Sequence, residues 1–363
     1  MKKKLYIHGS FMNDNYGDFL LYYIVKNICE KYSNHIDFFS STVDSSYDQY
    51  CSVQRKSKFY STFKSDLVLF AGGGYFGEPN KRKLYWNLRC LIKHLIPAYL
   101  ISMRKIPYAI IGVETGPLSL KLSKRILKTV CNRAKVLCVR NVESKEFLES
   151  IGVGNKIEVN PDWLMGIDPS LLTNHKTDIS RIFENVPKNY KTLFVHLTTK
   201  ENEGKRNAIE DLKKYFNENS NIYLFIGCDQ KRSTQELRSL ELSNSFPKER
   251  CKVLKYNSPW ELSSVLNHVD AVITDKLHVG IVATLFQKEV ISVASHDKIL
   301  KFYRYIDREK WTQSILDTKK GDTFNKLNHL TYKPIKVSNE FLSKAKKNEK
   351  LLREFLDLYG SDC

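Results

Sequence analysis

Residues 270–298, DAVITDKLHVGIVATLFQKEVISVASHDK, restrict the possible folds more than any other stretch of the chain. An apolar run at 271–274 stops abruptly in Asp275-Lys276-Leu277-His278, and an apolar, Gly-containing helical pattern follows at once. A second β-like run at 290–294 stops in His296-Asp297-Lys298. Short continuous apolar runs of this kind fit strands buried on both faces, as parallel sheets require. In such sheets the ligand crevice lies outside the carboxyl ends of the strands. Two imidazoles, two ammonium groups and two carboxylates therefore gather where an α/β protein places its chemistry.

The same alternation recurs along the chain. Strands are expected at 5–8, 36–40, 67–71, 108–113, 136–139 and 157–160, and helices at 19–32, 86–103 (kinked at Pro97), 122–134 and 144–151. Asp18 can cap the first helix, whose Leu20, Ile24 and Ile28 share one face. Residues 47–64 are polar and read as partly loop, and 166–190 lose the alternation, which places a domain junction there. The pattern restarts with strands at 192–197, 222–227, 252–256, 271–274 and 290–294, and helices at 208–217, 234–242 and 260–268. Ser338 can cap a last helix striped by Phe341, Ala345, Leu352, Phe355 and Leu356. Regular βα alternation implies parallel sheets covered by helices. The expectation is an α/β protein of two Rossmann-like, doubly wound lobes, residues 1–170 and 171–335, with a cleft between them and a C-terminal helix at 336–363. A chain of 363 residues fits two such cores.

Charge narrows the partners. Fifty-eight basic against 40 acidic residues give a net charge of +18, which attracts anions generally. No RNA-binding aromatic motif or zinc finger accompanies it, so nucleic acid is not expected as a partner. Eight cysteines stand far apart, at 29, 51, 90, 131, 138, 228, 251 and 363, without a CxxC pair. That spacing favours reduced structural thiols in a cytoplasmic protein, and neither a disulfide framework nor a metal site is expected. Lys2–Lys4 precede only a short apolar run before His8 and Gly9, too little for a secretory leader. Residues 91–103 are interrupted by Lys93, His94 and Pro97 and are too short to span a bilayer.

The candidate chemistry sits at strand ends. Gly72-Gly73-Gly74 lets a backbone approach a ligand or present N–H groups to an anion, and a tight turn is the plainer alternative. It is not GxGxxG, and no Walker motif is present, so NAD and P-loop readings are poor. Asn15-Tyr16-Gly17-Asp18 opens the first helix, where Asp18 serves as a cap or orients an acceptor hydroxyl. Arg140 ends the strand at 136–139 and offers a planar fork for phosphate or carboxylate, the alternative being a surface pair with Glu143. Lys276 and Lys298 flank His278 at a helix start, which makes an anion pocket with a proton donor, a structural histidine being the plainer reading of His278 taken alone. His8, His35, His94, His175 and His329 show no comparable setting, and His196 and His268 read as packing or surface residues.

Taken as an ordered series, these residues resemble the polysaccharide pyruvyl transferases. The series runs from Asn15-x-Gly17-Asp18 through Leu69-Phe70-Ala71-Gly72-Gly73-Gly74, Ile111-Gly112-Val113 with Gly116-Pro117, Val139-Arg140 with Ser144, and Pro161-Asp162. It continues with residues 270–274 leading to Leu277-His278, and Lys298 closes it. The resemblance implies a GT-B-like pair of lobes and transfer of pyruvate from phosphoenolpyruvate to a sugar, without metal or other cofactor. By position it makes His278 the general acid, and Arg140, Lys276 and Lys298 cations that bind phosphoenolpyruvate. Asn15, Gly17, Asp18, Gly72, Gly73 and Gly74 become the acceptor side or cleft wall. Two departures stand out. Lys276 replaces the family's usual Arg and loses its bidentate fork. Asn141 replaces a usual Asp.

The implied acceptor is a glycan or a lipid-linked oligosaccharide. The basic balance then suggests peripheral contact with an anionic membrane at its inner face, with residues 344–350 a candidate contact and a solvated helix face the alternative. Two other readings compete. A GT-B glycosyltransferase would bind a nucleotide sugar with the same cations, although Glu289, beside Lys288 in an expected loop, is poorly placed to hold a ribose. A non-catalytic anion-binding protein would need only the charge.

Overall fold

The computed structural model describes residues 2–12, 14–32, 34–79, 82–175, 177–231 and 233–360. Lys81 and Cys363, counted above, lie outside them. The chain divides into two compact units: Met1–Asp14, Asp18–Ile167 and Glu340–Cys363 form the first, and Asn15–Gly17 with Asp168–Asn339 the second.

The first unit carries six parallel strands, β1 (Lys3–His8), β2 (Ile36–Phe39), β3 (Leu67–Phe76), β4 (Tyr108–Thr115), β5 (Val136–Val139) and β6 (Glu158–Val159). Their spatial order is β2-β1-β3-β4-β5-β6, so the winding reverses between β1 and β3. Apolar side chains such as Val68, Phe70, Ile110 and Val139 are sealed from water, which is why these strands read as unbroken apolar runs. β3 runs on through the glycine triplet, with a register shift against β4 between Gly73 and Phe76. Gly72 and Gly73 have φ of +43° and +92°, a left-handed backbone open to glycine. The triplet is therefore a bulged continuation of the strand and not the turn considered above. The helix expected at 86–103 forms as Lys83–Cys90 and Ile96–Met103 joined by a π turn, Leu91–Leu95. That irregularity falls just before Pro97, whose ring and missing N–H disfavour a regular α ladder there.

The last helix, Asn339–Gly360, belongs to this unit and buries Phe341, Ala345, Leu352, Phe355 and Leu356, the stripe read from sequence. Asn348 fastens it, donating to Pro161 O at 2.7 Å and accepting from Cys138 Sγ at 3.5 Å.

The second unit has β7 (Lys191–His196), β8 (Ile222–Ile226), β9 (Cys251–Val253), β10 (Ala271–Thr274), β11 (Glu289–Ala294) and β12 (Thr312–Ser314). All pair in parallel, in the order β12-β11-β10-β7-β8-β9, so the winding reverses between β7 and β10. β12 was not anticipated: it is a half-buried polar edge strand, Thr-Gln-Ser. Glu289 lies not in a loop but at the start of β11, where its buried carboxylate accepts from Thr331 N at 2.8 Å and Tyr332 N at 2.6 Å. The seven described cysteines are free thiols, and burial pushes Cys29, Cys90 and Cys138 up to about 12. Among the described residues no helix is long and apolar enough to cross a membrane.

Candidate functional site

In the second unit the site starts at the reversal between β7 and β10. β10 ends in Asp275, fully buried, whose N–H bonds His196 O at 2.9 Å and whose Oδ2 accepts from Thr199 N at 2.6 Å. These bonds fix the exit of the chain into the helix Leu277–Leu285. Lys276 occupies the cap position and supplies no side-chain cap, so the positive dipole end of the helix is not offset by its own cap residue. His278 stands in the first turn.

The neighbouring strand β11 leads into the helix Asp297–Tyr305, which carries Lys298 in its first turn. Ser295 Oγ donates to Asp275 O at 2.7 Å and ties the two strand exits together. Gly280 permits the two helices to pack closely, since a Cβ there would lie 2.4 Å from the Tyr303 hydroxyl. The two exits gather charges of both signs, Lys276 and Lys298 with Asp275 and Asp297. Desolvation of its ring is the largest cause holding the His296 imidazole below its ordinary range; the ammonium groups of Lys298 and Lys276 add to it, and the Asp275 and Asp297 carboxylates oppose it, in a residue that is exposed as a whole.

His278 also touches Gly17, which belongs to the same unit. A Cβ on Gly17 would fall 1.7 Å from His278 Nδ1, so only glycine leaves room for the ring. The Asn15–Gly17 segment is held there by Tyr16, whose N–H bonds Asp229 O at 2.9 Å and whose hydroxyl bonds Ser263 Oγ at 2.7 Å. The structure thus brings together Gly17, His278, Lys276 and Lys298, residues separated by up to 281 positions in sequence.

The first unit holds a different cluster. Arg140, just past β5, is buried; Nη2 donates to Glu114 Oε2 and Nη1 lies 3.6 Å from Asp162 Oδ2. Burial works against its charge, but Glu114, Asp162 and Asp18 outweigh that and raise its pKa. Arg140 is therefore not the surface residue of the plainer alternative. Asn141 caps the helix Val142–Ser150 by accepting from Ser144 N at 2.9 Å, and its amide donates to Glu114 Oε1 at 3.4 Å. An Asp at 141 would place a third carboxylate beside Glu114 and could not donate. Gly74 lies over the same pair, within 3.1 Å of Glu114 Oε2 for a built Cβ. Asp18 sits within the first turn of the helix Tyr16–Glu30 and is not its cap. Glu114 and Asp162, the partners that define this cluster, each follow an expected strand but stand outside the expected set of site charges.

A second missed feature is a buried chain of polar rings. Ser41 Oγ bonds Tyr6 Oη at 2.7 Å, Tyr6 Oη bonds His8 Nδ1 at 2.7 Å, and His8 Nε2 bonds His94 Nδ1 at 2.8 Å. Burial, aided by Lys58, holds His8 well below its ordinary range and His94 at about 3. His196, at the end of β7, is likewise buried and lowered, with Thr198 Oγ1 at 3.0 Å.

A family model for polysaccharide pyruvyl transferase matches residues 15–297, well over half of the chain. The chain belongs to the polysaccharide pyruvyl transferase family. That span takes in both the Arg140 cluster and the Lys276–His278 turn, with Lys298 one residue beyond it. No curated protein matches the sequence. Solved structures match across nearly the whole chain at low identity. A Methanocaldococcus jannaschii UDP-GlcNAc 2-epimerase, in complex with UDP-GlcNAc and UDP, aligns at 13% identity and a TM-score of 0.62, covering 98% of this chain and 100% of its own. The S. aureus MnaA–UDP co-structure aligns at 12% identity and TM-score 0.62, covering 99% and 97%. Anabaena HepE in complex with UDP-glucose aligns at 12% identity and TM-score 0.58, covering 99% and 96%. At these identities the likeness is one of fold, and it is the expected one: this pyruvyl transferase family member has two GT-B-like, Rossmann-type lobes.

Proposed function

We propose that the protein transfers pyruvate from phosphoenolpyruvate to two hydroxyls of one sugar, forming a pyruvate ketal and releasing phosphate. The acceptor in this reading is a polysaccharide or a lipid-linked glycan precursor. The enzyme works in the cytoplasm with peripheral contact to an anionic membrane. What supports it most is His278 in an uncapped first turn beside Lys276, with Lys298 at the next strand exit. Phosphoenolpyruvate is a trianion near neutral pH, and two ammonium groups with a helix N-terminus suit its phosphate and carboxylate.

The His278 imidazolium protonates the methylene carbon, which becomes a methyl group, and cationic character develops at C2. One sugar hydroxyl adds to C2, phosphate departs, and a second hydroxyl closes the ketal. Of the two hydroxyl protons displaced, one restores His278 and the other leaves with phosphate. The residues needed for this are all protein side chains, so the reading requires no metal or other cofactor.

Arg140 takes a different part in this proposal from the donor contact that family position implies. Glu114 and Asp162 already oppose its charge, so it acts as a positioning residue that holds Glu114 beneath Gly74. Asp18, Glu114 and the Gly72–Gly74 backbone then face the acceptor, where carboxylates suit hydroxyl groups and not a trianion.

The second reading, a nucleotide-sugar enzyme, draws on the UDP-bound structures that share the fold. Against it, Glu289 is committed to the Thr331 and Tyr332 amides. Calorimetry separates the readings. Phosphoenolpyruvate is expected to bind and UDP not to bind, and phosphate release is expected only with an acceptor from a panel of free and lipid-linked sugars. Binding of UDP without phosphoenolpyruvate would transfer the assignment to a nucleotide-sugar enzyme. Binding of neither would leave an anion-binding protein.

A further inference from the structure

The helical segment that packs on the first unit between β3 and β4 has an apolar face turned to water. Leu84, Tyr85, Leu88, Ile92, Ile96, Leu100 and Met103 are all exposed, Ile92 by 61% and Ile96 by 41%, with Trp86 at the edge. Their spacing of three to four residues puts them along one side of the segment. A strict four-residue spacing drifts by about 40° per step on an α-helix. The π turn at Leu91–Leu95 lies in the middle of the run, where its wider winding takes up part of that drift.

The opposite side is anchored. Asn87 accepts from Ser123 Oγ at 2.6 Å, Cys90 Sγ donates to Tyr75 O at 3.2 Å, and His94 joins His8. Leu91, Leu95, Ala98 and Ile101 are buried in the core. The exposed face is thus a fixed platform and not a frayed helix. Exposed apolar residues elsewhere, such as Leu237, Leu316 and Leu358, do not form such a run.

Charge identifies the occupant. Between Glu78 and Glu114 the sequence holds seven Lys or Arg and no Asp or Glu. Arg82, Lys83, Lys93, Arg104 and Lys105 flank the stripe, and Arg89 lies over the Trp86 ring at 5.0 Å. A second copy of the chain, meeting this face across a two-fold axis, would set like charge on like charge. An acidic bilayer surface does the reverse: apolar side chains enter the acyl boundary, Tyr and Trp sit at headgroup level, and cations reach back to the phosphates.

We propose that the Leu84–Met103 face is a docking surface for anionic bilayer lipid, lying in the plane of the membrane. Residues 344–350 suit this role less well. On that helix Lys344 pairs with Glu340 at 2.7 Å and Lys350 with Glu354 at 3.7 Å, while its apolar side is buried. The inference locates the membrane contact of the functional reading, and its test needs no turnover, so the two fail separately.

Co-sedimentation of the full chain with phosphatidylcholine vesicles, with and without phosphatidylglycerol, tests it. Binding is expected only to phosphatidylglycerol vesicles and should weaken as salt screens the charges. The double substitution Ile92→Glu with Ile96→Glu should lower the bound fraction about tenfold or more. Both side chains are exposed, so circular dichroism should be unchanged. Arg89→Gln with Lys93→Gln, which leaves the apolar run intact, should raise the phosphatidylglycerol fraction needed for binding. Brominated lipid should quench the bound protein, and Trp86→Phe should remove that quenching while binding persists. No binding to phosphatidylglycerol vesicles at low salt would overturn the proposal. So would unchanged binding of the Glu variant, or a wild-type dimer that this variant converts to monomer.

Discussion

Arg140 and Lys298 both lie just beyond parallel strands and both read from sequence as cations for the same anion, yet the fold gives them opposite surroundings. Arg140 is enclosed by Glu114 and Asp162, with Asp18 also acting on it, so its cluster carries more negative than positive charge. Lys298 joins Lys276 around His296 and the uncapped turn of His278, where desolvation and the two ammonium groups together outweigh Asp275 and Asp297 in opposing a further positive charge. Position at a strand end thus fixes where a side chain points but not what it can bind. The acidic partners arriving from other strands decide that.

The most forceful way to break the comparison is at His278. His278→Ala should lower phosphate release at saturating substrate by about 10²- to 10⁴-fold, the usual range for a general acid. Melting behaviour should stay near that of the parent. Turnover close to the parent value would remove the acid from the cationic cluster. Gly17→Ala sharpens the point, because its methyl group would fall 1.7 Å from His278 Nδ1 and must displace the ring. Misplacement of a catalytic group by about 1 Å can cost about 10²-fold in rate. The loss should appear in kcat, with the calorimetric Kd for phosphoenolpyruvate little changed.

Arg140→Ala and Lys298→Ala should then separate along different axes. Removing Arg140 strands Glu114 and Asp162, whose side chains are 12% and 5% exposed. Breaking a buried ion pair from one side typically costs about 3–5 kcal/mol of stability, which urea unfolding would register. Lys298 is half-buried, so Lys298→Ala should leave the unfolding free energy from urea titration within about 0.5 kcal/mol of the parent's. Its effect should be on phosphoenolpyruvate affinity, weakened by about tenfold, since charge-assisted bonds are worth about 1.5–3 kcal/mol. Equal stability losses in the two variants would erase the distinction between the clusters.

What the sequence made legible follows from the same physics. Parallel strands buried on both faces must be apolar throughout, so β1, β4, β7, β10 and β11 announced themselves. β12 did not, because an edge strand such as Thr312–Ser314 needs no apolar run. The extension of β3 through Gly72–Gly74 was hidden because glycine signals a turn and a bulge equally well. At the site, Lys276, His278 and Lys298 stood out by local pattern. The closeness of Glu114 to Arg140 comes from the lateral pairing of β4 with β5, and that of Gly17 to His278 from packing between segments far apart in sequence, and no local signal encodes either. His8 and His94 are 86 residues apart, and each alone looks ordinary.

That histidine pair gives the mildest test, and it contrasts with the solvent-facing His296 of the cationic cluster. In the unfolded chain an imidazole takes its proton near pH 6.5. In the folded chain burial and the nearby Lys58 and Lys93 hold His94 neutral down to about 3, and His8 is also well lowered. The unfolded state therefore binds more protons between these values. Stability is fully present above pH 6.5 and falls as pH drops, by up to about 1.4 kcal/mol per pH unit for each such histidine. His94→Gln keeps a polar partner for His8 and removes one of these titrations. Its unfolding free energy from urea titration should fall less than the parent's between pH 7 and 5.5, by a difference of about 1 kcal/mol. His196, buried and lowered in the second unit, retains its own acid sensitivity in both proteins, so the parent's slope should be reduced and not abolished. Identical slopes would mean that His94 takes up its proton alike in the folded and unfolded chain, against the burial and neighbouring charge that surround it.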